Sequence, residues 1–481
     1  VRYIFITPEG VIDTHTGEVH DKLSIDTLLS TRPGGVIAGR NMYPILCSLI
    51  SDIRKDWGWT ASIHVQHQPA GQDRVHGVIY YSHLTHRFRK VRVSGVRFRP
   101  GSIKWVVLNL ELFCEDADIE SASRSLVSLA ESRGVSLRYS PGTMGSAMIR
   151  ASPKWTRDRR PAPRFISEIA REHLPGNLYS LRDDFSTSEG AIYIDQKSSH
   201  HNVASSIDLP HPHYLHARGR IRAVEKGMCP KWMSSMRLLS KHTGLIACKV
   251  ICRTIPNNLK HLYPPWAHEP GERDVWIWTP ELRLLDERVR LLWVSAGLTS
   301  YVPDPVLSEY SKWAISQLSK PHHSAIKPAL LAAYGMLAIR SKKTVVKYTV
   351  HGRPKPPRSD AVSLPLIDGD VYRAIIQRRR TPSIQNVICR GVIEAEVRTR
   401  SLEMARHLES EGLPVLQIYA DGLIVETDQV PILPNQWRVA ASLTEVSREN
   451  PSSIISRELV RLPGIPNGRR ATYIAARSEQ V

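Results

Sequence analysis

Two acidic residues set 226 positions apart each close an apolar strand: Asp195 ends AIYID, and Asp421 sits inside VLQIYADGLIVE. An ionised carboxylate among apolar strand residues is costly to desolvate unless a cation or hydrogen-bond donors meet it. A fold that keeps both must bring remote strands side by side and supply opposite charge. Ala-Asp-Gly between the two apolar halves of the second segment suits a tight hairpin with Asp421 at its tip. Taken singly, each acid reads more readily as a turn or strand-cap residue than as a metal ligand. Two on adjacent strands could hold a pair of Mg²⁺ ions that activate a hydroxyl and stabilise a leaving pyrophosphate.

The chain of 481 residues carries 65 Lys and Arg against 46 Asp and Glu, a formal charge of +19. Residues 342–400 hold 13 of the basic residues against 5 acidic ones, and HRFRKVRVSGVRFR (86–99) interleaves cations with apolar residues like a strand with one basic face. Several patches on top of a global excess point to a polyanionic partner, because neutralising phosphates releases counterions. A hydrophobic fraction of 42% excludes the disordered and low-complexity classes. No apolar run approaches the roughly 20 residues of a membrane span, and VRYIFITPEG has no basic stretch followed by an apolar core. The expectation is a chain without membrane contact in a reducing, cytoplasmic compartment.

Cysteines are few. Cys248 and Cys252 share one face of a strand in LIACKVICRT, and zinc would need two more ligands at matching spacing, so the thiols are read as buried and structural. His211, His213 and His216 in HPHYLH lack a partnering acid or cysteine and are read the same way.

Residues 1–150 alternate short strands with a helix at 118–133, which marks an α/β or α+β domain. A Pro- and Arg-rich linker, 151–164, follows. Strands at 191–195, 245–255 and 274–279 lead to two helices, 306–318 and 324–340, then to a basic, loop-rich stretch up to 380. A long helix over 387–412, stopped by Gly412 and Pro414, precedes the Asp421 hairpin. On the second of the paired helices, Lys327 and Tyr334 are seven apart and nearly on one face.

The ordered set resembles family B DNA polymerases, in particular the short protein-primed type of phages and linear plasmids. Asp195-Gln196-Lys197-Ser198-Ser199-His200-His201, with Leu209-Pro210 downstream, is similar to that family's DxxSLYP motif. Lys327, Leu331, Ala332, Tyr334 and Gly335 match the spacing of KxxxNSxYG, and IEAEVRTRSLEMARHLESEGLPVLQIYADGLIVE resembles the helix and YxDTDS hairpin. Similarity extends over about 190–430. The resemblance implies an α+β right-hand polymerase preceded by a degenerate RNase H-like exonuclease domain. Its parts would be an exonuclease-like domain (1–160), a first palm part (161–304), fingers (305–341), a basic insertion with the second palm part (342–436), and a thumb (437–481).

Position by position, the resemblance implies that Asp195 and Asp421 bind two Mg²⁺ or Mn²⁺ ions, with the Gln196 carbonyl as a further ligand. Amides near Ser198 and Ser199 would cradle a triphosphate, Lys327 would neutralise it, and Tyr334, next to Gly335, would flank the nascent base pair. The partners would be primer-template DNA and dNTPs, with a terminal protein or another replication protein, in a host cytoplasm for a phage enzyme.

Three departures qualify the pattern. YADG has one acid where the family has two: Asp421 aligns either with the first, leaving Leu423 at the second, or with the second, leaving Tyr419 at the first. The second alignment keeps a carboxylate at the hairpin tip and is preferred. His200 replaces the Tyr that excludes a ribose 2′-hydroxyl, so relaxed sugar selection and primase-like use of NTPs or RNA are expected. The first strand, YIFITPEG, has only Glu9 beyond it where an exonuclease carries Asp-x-Glu; Asp116 and Asp118 lie near the third acidic motif, and an inactive relic is expected. Residues 342–372 resemble in position an insertion that encircles template, and Arg438 could stand in for the thumb's Lys-x-Tyr. Two rivals remain: a reverse-transcriptase-like palm, since YADG is similar to YADD, and a polymerase-fold nucleic-acid-binding protein that has lost catalysis.

Overall fold

The computed structural model describes residues 2–23 (except 8, 15 and 22), 35–40, 62–67, 73–75, 77–80, 91–93, 96–98, 104–110, 113, 118–156 (except 139), 164–175, 179–184, 187–210, 243–300, 303–304, 306–320, 324–338, 342–349, 363–367, 371–379, 384–427 and 429–447. Cys47, Cys114, Cys229, Asp116 and the HPHYLH histidines lie outside them. Two compact units result: 1–148 with 320–383, and 149–319 with 384–481.

In chain order the elements begin with β1 (Arg2–Thr7), β2 (Gly10–Asp13), β3 (Val19–His20), β4 (Gly35–Gly39), β5 (Ser62–His67), β6 (Asp73–Val75) and β7 (Gly77–Tyr80). The hairpin β8 (Val91–Val93) and β9 (Val96–Phe98) falls within the basic stretch 86–99, and β10 (Lys104–Asn109) follows. A mixed sheet of order β3-β2-β1-β4-β10-β7 forms the first unit's core, with Ile4, Phe5, Ile37 and Leu108 buried. Helix α1 (Ile119–Ser132) packs its apolar face here, and Arg124 lies over the Tyr3 ring at 5.2 Å. The Asp118 carboxylate accepts from the Ser121 N–H at 2.7 Å, so Asp118 is the helix N-cap. Helix α2 is Pro141–Arg150.

The second unit opens with α3 (Arg164–Glu172), β11 (Tyr179–Leu181), β12 (Thr187–Gln196), α4 (Ser199–Ser206) and β13 (Leu209–Pro210). It continues with β14 (Thr243–Cys252), β15 (Gly271–Trp278), β16 (Val289–Ser300), β17 (Pro303–Asp304), which pairs with β13, and α5 (Ser308–Leu318). The chain then re-enters the first unit for α6 (Lys327–Ala338), β18 (Lys342–Thr349), β19 (Ser363–Ile367) and β20 (Val371–Arg379), and returns for α7 (Val387–Ser410), β21 (Val415–Tyr419), β22 (Gly422–Val425) and β23 (Trp437–Ser447).

This division differs from the expected one at four places. The units part at 148/149 rather than near 160, and the helix pair expected as one segment over 305–341 is split at 319/320. The basic stretch expected as loop-rich forms β18–β20, which join β5 and β6 in a sheet of order β19-β20-β18-β5-β6. Residues from 437, expected to open a separate thumb, instead add β23 to the sheet of Asp195. The last two differences share one cause: strand pairing satisfies backbone groups across any sequence distance, and a linear pattern does not record the partner.

That sheet, β11-β21-β22-β12-β23, is antiparallel throughout. One face, with Ile192, Ile194, Ile418, Leu423 and Trp437, packs toward α7 and the sheet β15-β14-β16 in a single core that also holds Cys248 and Cys252. Burial raises the Cys248 thiol to about 12, which fits a structural thiol. Helix α7 is buried on nearly all sides, from Cys389 and Ile393 to Leu402 and Leu408. Its charges are therefore paired: Arg398 with the buried Glu281, and Glu396 with Arg283 and Arg400. Asn386 caps its start, and Gly412, at φ 79°, ends it: Gly412 N–H donates to Glu409 and Leu413 N–H to Leu408.

Candidate active site

The opposite face of the same sheet carries the site. Side chains alternate along β12, so Ile192, Ile194 and Gln196 point toward α7, whereas Ala191, Tyr193 and Asp195 share the other face. Register places Asp195 opposite Gly422 of β22 and opposite Arg438 of β23. Asp421 immediately precedes Gly422, in the two-residue turn with Ala420 that joins β21 to β22, and its carbonyl accepts from the Gln196 N–H at 3.0 Å. Strands remote in sequence thus set the two acids at one end of one sheet.

Asp195 is buried, 1% exposed, and its Oδ2 accepts from Arg438 Nη2 at 3.2 Å. The Oδ2 of Asp421, which is partly exposed, accepts from the Ser199 hydroxyl at 2.7 Å. Ser199 opens α4 directly after Ser198, a left-handed residue at φ 46° that turns the chain from strand to helix. Ser199 Oγ also lies 3.2 Å from His200 Nδ1. Because the hydroxyl donates to Asp421, it is left to accept from a protonated Nδ1. Burial, with the Arg390 guanidinium nearby, pushes the His200 ring down to about 3, so it is neutral at pH 7.

Helix α7 anchors both acid-bearing elements from beneath. Gln196 Nε2 donates to the Val397 carbonyl at 3.2 Å and to Ser401 Oγ at 3.1 Å, and the same hydroxyl lies 3.2 Å from the Ala420 carbonyl in the turn. On the site face Tyr193 covers Gly422: a Cβ there would stand 2.3 Å from the Tyr193 hydroxyl. Only glycine lets that ring lie against the turn. Leu423, the alternative position for a second acid, is fully buried on the far face in contact with the core.

Lys327, Tyr334 and Gly335 all lie on α6, in the first unit: Lys327 begins the helix, Tyr334 is fully buried and Gly335 is exposed. Sequence reasoning missed the contacts made by Tyr193, Ser401 and the Ser199 hydroxyl. The position of Tyr193 two residues before Asp195 was a usable signal; Ser401 gave none, since one serine on a long helix is unremarkable.

The two carboxylates are hard oxygen donors, which suit Mg²⁺ or Mn²⁺ and not a thiol- or imidazole-seeking metal. Among the described residues no group of three or more His, Cys, Asp and Glu side chains converges. A cation here would complete its shell with water and substrate oxygens, as Mg²⁺ commonly does.

In the first unit, no acid lies on β1, and Glu9 is exposed in the following turn. Asp13 of β2 is buried and held by Arg2 through both carboxylate oxygens.

No protein-family model matches the chain, and no curated protein is similar in sequence. Solved structures are similar in fold. Phi29 DNA polymerase complexed with primer-template DNA and incoming nucleotide substrates superposes at a TM-score of 0.58 and 11% identity, covering 92% of this chain and 84% of that one. The same polymerase with primer-template DNA alone gives 0.54 at 12% identity over 92% and 85% of the two chains, and its orthorhombic crystal form gives 0.51 at 12% over the same shares. At such identity the likeness establishes a DNA-polymerase type of fold.

Proposed function

We propose that the chain is a template-directed DNA polymerase that uses Asp195 and Asp421 to hold two divalent ions, Mg²⁺ or Mn²⁺. The observation that carries the reading is the register of Asp195 with Gly422, which sets Asp421 beside it at the same end of the sheet. Ions bound there would act as Lewis acids toward a primer 3′-hydroxyl and toward the leaving pyrophosphate.

The chain's own residues orient the reactants. The Ser199 hydroxyl fixes the Asp421 carboxylate, and the Gln196 side chain, tied to α7, steadies the carbonyl that adds a ligand oxygen. Backbone amides at Ser198 and Ser199 offer N–H groups to a triphosphate at the start of α4. For α6 of the first unit we propose roles of Lys327 toward a triphosphate and of Gly335 toward a nascent pair; Tyr334 is fully buried and does not present the ring face its expected role needs. His200 is a smaller, neutral ring where family B enzymes exclude ribose, so NTPs are accepted beside dNTPs. The neighbouring structures hold primer-template DNA and nucleotides, which supports the same partners here. The fold likeness favours the family B reading over a reverse-transcriptase palm.

A second reading, a polymerase-fold protein that binds nucleic acid without extending it, is favoured by the lone acid of the hairpin. Primer extension with Mg²⁺ or Mn²⁺, on DNA and RNA primers, separates the two. Polymerase function predicts extension that Asp195→Ala or Asp421→Ala lowers by about a thousandfold or more. Tight DNA binding with no extension by the unaltered protein would leave only the second reading.

A further inference from the structure

We infer that Arg438 is a built-in counter-ion that a divalent cation must displace from Asp195, so that metal and phosphate ligands load the site together. The inference rests on the metal-site reading above. A carboxylate buried as deeply as Asp195 needs a compensating charge before any metal arrives. Strand β23 supplies it, because the register sets Arg438 directly opposite Asp195, with Nη2 3.2 Å from Oδ2.

The pair is asymmetric. The Arg438 side chain is 53% exposed and the Asp195 side chain 2%, so the guanidinium reaches in from solvent. Its strand is fixed on the core side by Trp437 and Val439, and Lys197 N–H donates to the Gln436 carbonyl at 2.9 Å. The backbone of β23 therefore stays in place and the arginine side chain can swing.

A divalent cation on the same carboxylate would repel the guanidinium at close range. A displaced arginine seeks a new anion, and its planar fork of N–H donors suits phosphate oxygens. Phosphate binding then favours metal binding, and linkage makes the effect reciprocal.

The test is Mn²⁺ binding to the full chain, read from the paramagnetic resonance of free Mn²⁺, with and without inorganic pyrophosphate. Arg438→Gln is expected to tighten Mn²⁺ about tenfold without pyrophosphate, and to shrink the tightening that pyrophosphate confers by a similar factor. Arg438→Lys retains the charge and should stay near the unaltered protein; equal tightening in both variants would assign the effect to altered packing and overturn the inference. Asp195→Asn should remove this binding in either background. Asp195-dependent binding of equal strength with and without the arginine overturns the inference and leaves the metal site standing. No Asp195-dependent binding in any variant overturns the metal site, and the inference with it.

Discussion

Each unit buries an aspartate against an arginine in a sheet, and the two pairs differ in grip and exposure. In the first unit Arg2 grips both oxygens of Asp13, and the two side chains are 8% and 2% exposed. In the second, Arg438 touches one oxygen of Asp195 and is itself half in water. A dry, two-point ion pair on β2 cannot be exchanged for a metal without exposing a buried cation. A one-point pair at the end of β12 can. The comparison shows why one sheet is read as a scaffold and the other as the reactive face, although the acid is equally buried in both.

The largest expected contrast comes from removing each acid's charge. Asp195→Asn should abolish primer extension while the melting temperature stays within a few degrees, because a half-exposed arginine tolerates losing its partner. Asp13→Asn removes the carboxylate charge that faces the buried Arg2 guanidinium, and about 3 kcal/mol of stability should be lost. Its folded fraction should extend primers normally. Calorimetry and active-site-normalised extension check both; an inactive but stable Asp13→Asn protein would move the reactive face to the first unit.

A smaller effect is expected at the turn. Gly422→Ala drives a methyl group into the Tyr193 ring, which should cost about 1–3 kcal/mol. If that ring steadies the turn, extension should fall about tenfold more than stability explains. Activity measured well below the melting transition tests this, and an unchanged rate would show the turn to be insensitive to the ring.

The smallest effect concerns His200. Its folded value of about 3 lies below the ordinary value near 6.5, so folding favours the neutral ring. This contribution is complete above pH 6.5 and is lost as pH falls toward 3. Urea midpoints between pH 7 and 4 should fall less steeply in His200→Phe than in the unaltered protein. In extension assays His200→Tyr should sharpen the preference for dNTPs over NTPs about tenfold.

Much of the reactive face was legible in the linear pattern. AIYID, VLQIYADGLIVE and the long helix announce themselves by apolar runs, a turn pair and a Gly-Pro stop, and each forms where expected. Those signals are local, set by propensity and by the alternation of side chains. The basic stretch failed for the opposite reason: KKTVVKYT is polar enough to read as a loop, and becomes a strand through β5, nearly 300 residues earlier, and β20. The two acidic positions near the supposed exonuclease site were ambiguous because one carboxylate can cap a helix or bind a metal. Geometry resolves Asp118 as a cap.

The elements, the two acids at strand ends and the cationic excess follow from residue chemistry within a few positions along the chain. It takes the packed chain to set Arg438 opposite Asp195, Ser199 against Asp421, and Ser401 within reach of both Gln196 and the turn. Those contacts join residues up to 243 positions apart. They depend on register and on which face a side chain takes, and a one-residue slip in any strand would reverse them.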